Sequence, residues 1–135
     1  MRKHDNTELS VITKAKELLL YILAVTDRSP KKYRFTLVSR LQGYALDIVE
    51  YLYLANCIVI SDRTLQKELD ERIQYQRKAF ARLRLLAYIA VIARESVCIT
   101  QKQQRIISEK IVEVEKMLYA WRMSDEKRIK SFAEK

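Results

Sequence analysis

The sequence predicts an all-α protein folded as an antiparallel up-down four-helix bundle. Three observations carry this. One glycine and one proline in 135 residues leave almost nothing to punctuate strands or tight turns. Apolar residues recur at three- and four-residue spacing through four long stretches. The polar stretches between them are short, which forces consecutive helices to run antiparallel. A chain of this length buries a core of its own as one domain, assigned here to residues 1–128. The charged residues from Ser124 onward, and 129–135 above all, are expected to fray.

The first helix is expected from Asp5 or Thr7 to Thr26, with Leu9, Ile12, Ala15, Leu19, Ile22 and Leu23 on one face. It stops before Pro30, whose ring disfavours a helical Ser29. The second runs from Lys31 to Ile58 with a stripe of Leu37, Leu41, Tyr44, Ala45, Ile48, Leu52 and Ala55. Gly43 lies in its middle, where it is expected to permit close approach of a neighbouring helix. Ser61 or Asp62 can cap the third, which continues to Val97 with Leu65, Leu69, Ile73, Phe80, Leu83, Ala87 and Ala90 inward. The fourth has the clearest start. Thr100 and Gln103 stand at the spacing at which a hydroxyl and a returning amide satisfy each other's backbone donors. Ile107, Ile111, Val114, Leu118 and Trp121 form the stripe that follows.

The net charge of +9 is segregated along the chain. From Arg28 to Leu46 there are five basic residues and no acid, and from Arg72 to Arg94 six more and again no acid. Such segregation costs self-repulsion in the folded state, and a polyanion held through its phosphates accounts for it. The bland account is a solvated face that keeps a helical protein soluble. If the second and third helices turn back near Ile60, Arg34 and Arg40 come level with Leu86 and Phe80, and both basic stretches share one end of the bundle. The expected nucleic-acid or polymerase contacts are therefore Lys31, Lys32, Arg34, Arg40, Arg77, Lys78, Arg82, Arg84 and Arg94. Tyr33 and Tyr75, beside these cations, could stack on unpaired bases or simply pack. RNA and DNA are not distinguished by charge and stacking alone.

Hydrophobicity exceeds what one core can take. Leu85 to Ala93 is apolar all the way round, and Tyr51 to Ile60 has no charged residue. A second apolar face points to homo-oligomerisation or to docking on a larger protein, through Tyr51, Leu54, Ile58, Leu85, Ile89 and Ile92.

Catalytic chemistry is not assembled by these residues. His4 is the lone histidine, in a polar N-terminus. Asp47 and Glu50 read as helix-surface partners of Lys or Arg rather than as metal ligands of a nuclease. Glu109, Glu113 and Asp125 lack the inward glutamate and histidine arrangement with which bundles hold two metals. No glycine-rich loop offers to cradle a phosphate. A non-enzymatic protein with no metal and no cofactor is expected. Cys57 and Cys98 lack metal or redox spacing and are expected as buried free thiols, suiting the cytosol. The longest uncharged apolar runs, Leu18 to Val25 and Leu85 to Ala93, are too short to cross a bilayer, so a soluble cytoplasmic protein follows.

Particular residues add a resemblance. The run Ser29-Pro30-Lys31-Lys32-Tyr33-Arg34-Phe35-Thr36-Leu37, then Arg40-Leu41 and Leu46-Asp47-Ile48-Val49-Glu50, resembles the loop and second helix of the accessory variability determinant proteins of diversity-generating retroelements. Ala81-Arg82-Leu83-Arg84-Leu85-Leu86 and Glu115-Lys116-Met117-Leu118-Tyr119-Ala120-Trp121 follow in matching order. Tyr119 and Ala120 stand where that family often has two glycines. The likeness spans Ala15 to Arg128. The four-helix-bundle proteins encoded within intervening sequences of ribosomal RNA genes share the fold, but Ala55-Asn56-Cys57 departs from their usual signature after the second helix. The resemblance implies a barrel-shaped homopentamer with a basic surface. It would bind the reverse transcriptase and its template RNA during mutagenic complementary-DNA synthesis and have no catalytic activity of its own. Arg34, Arg40, Arg82 and Arg84 are then the phosphate or polymerase contacts, unless Arg34 or Arg82 pairs structurally with Glu50 or Glu115. A helical scaffold or adaptor that holds a protein partner without nucleic acid is the competing expectation.

Overall fold

The computed structural model describes the backbone of residues 3–61 and 65–133, and the side chains of residues 10–61 and 66–131. It contains α1 (Lys3–Thr26), α2 (Ser39–Cys57), α3 (Leu65–Glu95) and α4 (Gln101–Ala133), and no strand among the described residues. A 3₁₀ turn over Lys31–Tyr33 passes into a π-helical turn over Arg34–Val38 and then into α2, so the chain coils without a break from Lys31 to Cys57. Each helix packs on two neighbours in the cyclic order α1, α2, α3, α4. This is the four-helix bundle expected from periodicity.

The core is one cluster of inward residues spaced three and four apart: Val11, Ala15, Leu18 and Ile22 on α1, with Leu41, Ala45, Ile48 and Leu52 on α2. Ala79, Leu83, Leu86 and Ala90 from α3 meet Ile107, Ile111, Val114, Leu118 and Trp121 from α4. Burying each large aliphatic side chain contributes about 1.5–3 kcal/mol, far more than any surface ion pair. On α1 the buried phase differs from the expected one. Val11 and Leu18 point inward, Ile12 and Leu19 flank the core, and Leu23 is exposed. The Leu18-Leu19-Leu20 run supplies an apolar residue at three adjacent positions, so spacing alone leaves the phase open by one residue. On α3, Phe80 and Ala87 are half-buried, and Arg72 and Gln76 are buried instead.

Helix α4 begins as expected. The Gln103 amide N–H donates to Thr100 Oγ1 at 3.1 Å, and the Thr100 N–H donates to Gln103 Oε1 at 2.9 Å. Helix α4 also includes most of the charged segment from Ser124 onward. The helix runs through Ala133, and within its last turns Asp125 is buried and paired with Arg72.

The α2–α3 connection is not a tight turn at Ile60. Residues 58–61 leave the helix and run on beside the first turns of α3, where the Ser61 N–H donates to Glu68 Oε2 at 2.6 Å. The Ser61 hydroxyl also donates to Glu68 Oε1 at 3.1 Å, and Asp62, the other cap expected, lies outside the described residues. This strap shifts the register of α3 against α2. Asp47 meets Arg82, and the Tyr33 hydroxyl meets the Ser96 carbonyl.

Two smaller expectations are corrected. A Cβ on Gly43 would meet nothing within 4 Å, so no helix approaches closely there. Cys57 is exposed and Cys98 buried, both as free thiols. Among the described residues, no helix is long and apolar enough to cross a membrane.

Candidate nucleic-acid interface

The register just described sets most of the second basic stretch away from the first, the two meeting at Tyr44, which Arg40 and Arg82 both contact. Extrapolating from the Asp47–Arg82 and Tyr33–Ser96 pairs, Arg40 lies level with Ile89 rather than Phe80, and Arg34 with Glu95 rather than Leu86. Only Arg94 of the second stretch reaches the end where the first stretch sits.

At that end the chain is built from the Pro30 turn and the α3–α4 turn. The Ser29 hydroxyl donates to the Cys98 carbonyl at 2.8 Å, and the Tyr33 hydroxyl donates to the Ser96 carbonyl at 2.6 Å. Burial pushes the Cys98 thiol above its ordinary value, partly opposed by its contact with Ser29. Thr26 donates to the Ile22 carbonyl and accepts from Gln42 Nε2 at 3.0 Å, tying α1 to α2. A cleft of about 320 Å³ opens between these elements, lined in part by Asp27, Pro30, Lys31, Arg34 and Gln42.

The cations here are open. Lys31, Lys32 and Arg34 are exposed and have no carboxylate partner among the described residues. Lys32 Nζ lies 5.1 Å from the centre of the Tyr33 ring. Arg40 is exposed and donates to the Tyr44 hydroxyl at 3.0 Å. Arg94 is half-buried, its Nε enclosed without a hydrogen-bond acceptor. Arg28 and Lys102 adjoin the same two turns in sequence, as do the acids Asp27 and Glu95. Phe35 projects from the π-helical turn in their midst, 87% exposed.

The rest of the second stretch is largely compensated. Arg82 Nε lies 3.0 Å from Asp47 Oδ2, with its guanidinium over the Tyr44 ring at 5.2 Å. Arg84 pairs with Glu115 at 3.7 Å and stacks over Phe80 at 5.4 Å. Arg77 reaches Glu126 at 3.7 Å. Lys78 is exposed and covers the stacked Tyr51 and Tyr75 rings at 6.0 and 5.5 Å. Arg72, counted with the basic stretch by sequence, is buried and bound to Asp125. Their acid-free sequence misled because the acids come from α2 and α4, distant in the chain.

The side chains expected at an oligomer interface divide similarly. Tyr51 and Ile89 pack against the bundle's own core, Ile58, Leu85 and Ile92 are half-buried, and Leu54 alone of the six is exposed. More apolar surface lies on the outer side of the α1–α2 pair, where Leu20 is 52%, Leu46 53% and Tyr53 60% exposed. On the α1–α4 side the facing Glu113 carboxylate, with Glu17, makes Lys14 more basic than an ordinary lysine.

Asp47 is held by Arg82, and no group of three or more His, Cys, Asp or Glu among the described residues could hold a metal ion. The side chain of His4 lies outside the described residues. Another cleft, about 660 Å³, lies between α3 and α4 at the opposite end, where Asp70 and Glu126 offset Arg77, Lys127 and Lys130. Fold and charge together define a helical bundle whose Pro30 end presents open cations among the described residues. No family model and no curated protein matches the chain.

Proposed function

We propose that this chain is a non-catalytic accessory subunit of a diversity-generating retroelement. In this reading it is a cytoplasmic protein, assembled as a homo-oligomer, a pentamer like the proteins it resembles. It holds the reverse transcriptase and template RNA through its basic surface during mutagenic complementary-DNA synthesis. The observation that carries the reading is the open cationic end formed by Lys31, Lys32 and Arg34, within a stretch that has no acid from Arg28 to Leu46. A phosphate backbone is the partner whose charge density suits such a cluster. Of the arginines named for contact, Arg34 and Arg40 now weigh more than Arg82 and Arg84, whose charges Asp47 and Glu115 offset.

The test is RNA affinity as a function of salt, read by fluorescence anisotropy, with light scattering after size exclusion to count subunits. Replacing Lys31, Lys32 and Arg34 together by alanine is expected to flatten the log–log salt slope by about 2, roughly 0.7 for each lost phosphate contact on a single strand. Absence of RNA binding by the wild-type chain, or a slope indifferent to the triple change, overturns the reading.

A scaffold that binds protein alone is the second reading, favoured by the exposed Leu20, Leu46 and Tyr53. Salt-insensitive assembly without RNA retention would select it.

A further inference from the structure

Four of the aromatic rings in or beside the basic stretches already have structural work. Tyr33 gives its hydroxyl to the Ser96 carbonyl. Tyr75 stacks on Tyr51 with ring centres 6.4 Å apart. Tyr44 lies under Arg82, and Phe80 lies under Arg84 and Arg122. The sequence singles out Tyr33 and Tyr75 as stacking candidates because they adjoin cations, but both are committed to the bundle.

Phe35 is different. It is 87% exposed, the highest value among the large apolar side chains described, and no ring or cation contact engages it. Its backbone explains the exposure. Arg34–Val38 is a π-helical turn, in which one residue more than an α-turn is accommodated per turn, a feature often found at functional sites. That turn lets Tyr33 and Leu37 pack against the core and Val38 be buried, while Phe35 is left outside. Lys31, Lys32 and Arg34 surround it in sequence, all exposed, and Asp27 is the nearest acid along the chain. An exposed phenyl ring amid open cations matches an unpaired base flanked by its phosphates: the ring takes the base face, the cations take the backbone.

We infer that Phe35 is a stacking platform for an unpaired base, so that the cationic end takes single-stranded rather than duplex nucleic acid. This rests on the RNA-binding reading above and narrows it to a substrate class. In a duplex, base faces are occupied by their neighbours and Phe35 has nothing to stack on, whereas the phosphate contacts remain available.

The experiment uses the full chain with two fluorescein-labelled RNAs, an unstructured 20-nucleotide strand and the same strand annealed to its complement. Phe35→Ala is expected to weaken single-strand binding by about 5- to 100-fold, the range for loss of one base–aromatic stack. Duplex affinity is expected to change less than about twofold, with the salt slope unaltered, because the phosphate contacts that set it are untouched. Phe35→Tyr should restore single-strand affinity. Because the ring is exposed, neither change should lower the melting temperature, and that is checked on the same samples. If the wild-type chain binds RNA with a steep salt slope but Phe35→Ala binds both RNAs equally well, the platform is wrong and the RNA-binding reading survives. An equal loss on both RNAs also overturns it. Smaller assemblies with unchanged RNA affinity would assign Phe35 to a protein contact and overturn it too. If the wild-type chain binds neither RNA, both readings fall together.

Discussion

Arg72 and Asp125 form a buried fork across 53 residues of sequence, with Nε to Oδ2 at 2.9 Å and Nη2 to Oδ1 at 2.6 Å. Gln76 Nε2 donates to the same carboxylate at 2.9 Å, and the Arg72 guanidinium lies over the ring of Trp121 at 5.5 Å. Burying both charges removes their hydration, so the pair has its large effect when one member is taken away and the other stays dry. Asp125→Ala is therefore expected to cost about 3–5 kcal/mol, whereas Arg72→Met with Asp125→Leu recovers most of that loss. Urea unfolding followed by the fluorescence of Trp121, the one tryptophan, measures both. Equal destabilisation by the single and double changes would mean that packing, not charge, dominates the site.

Gly43 is helical, and a methyl group there meets open space. Glycine loses more backbone entropy on folding than alanine, so Gly43→Ala should stabilise the protein by about 0.5–1 kcal/mol. The melting temperature rises by roughly 2–5 °C on that account. A drop on calorimetry would show that the site needs glycine for some contact beyond the isolated chain.

Val97 closes α3 in the left-handed region at φ 61°, with the Cys98 N–H donating to the Ala93 carbonyl at 2.8 Å and its own N–H to the Arg94 carbonyl at 3.0 Å. That is the helix-ending geometry in which glycine is usual, because a Cβ costs about 1–2 kcal/mol there. Val97→Gly removes this strain and gives up little packing, the side chain being 77% exposed. A net gain of about 0.5–1 kcal/mol is expected by urea titration, the remainder being offset by the freer unfolded chain.

The thiols should behave unequally. Cys57 is exposed, whereas burial raises the Cys98 thiol above its ordinary value. A chromogenic disulfide at pH 8 should label Cys57 at once and Cys98 only as the protein unfolds. The stability consequence has a definite sign. As pH rises past the ordinary thiol value of about 8.5, the unfolded chain ionises first, so the contribution of Cys98, complete below that pH, is progressively lost above it. Cys98→Ala should reduce the fall in stability between pH 7 and pH 10.

The two kinds of site residue differ in how visible they are along the chain. The α4 start was legible because Thr100 and Gln103 meet within one turn, and the stripe from Ile107 to Trp121 because helical period is a local property. The exposed cations Lys31, Lys32 and Arg34 were legible for the same reason: nothing distant in sequence reaches them.

Arg82, Arg84 and Arg72 are offset by partners that the sequence does not place beside them, because Asp47, Glu115 and Asp125 arrive from other helices. Charge counted along a chain sums neighbours in sequence, while Coulomb energy depends on neighbours in space. The same distinction governs Phe35. Its identity and its cationic setting are written in the sequence, but its exposure follows from a π-helical turn and from the core that claims Tyr33 and Val38 around it. Helix content, the stripes of α2 and α4 and the acid-free stretches are local matters and are readable residue by residue, whereas the buried phase of α1 is not. Which cations remain open, which aromatic ring is free and how α3 registers on α2 depend on long-range packing, set here by the 58–61 strap and the buried Arg72–Asp125 fork.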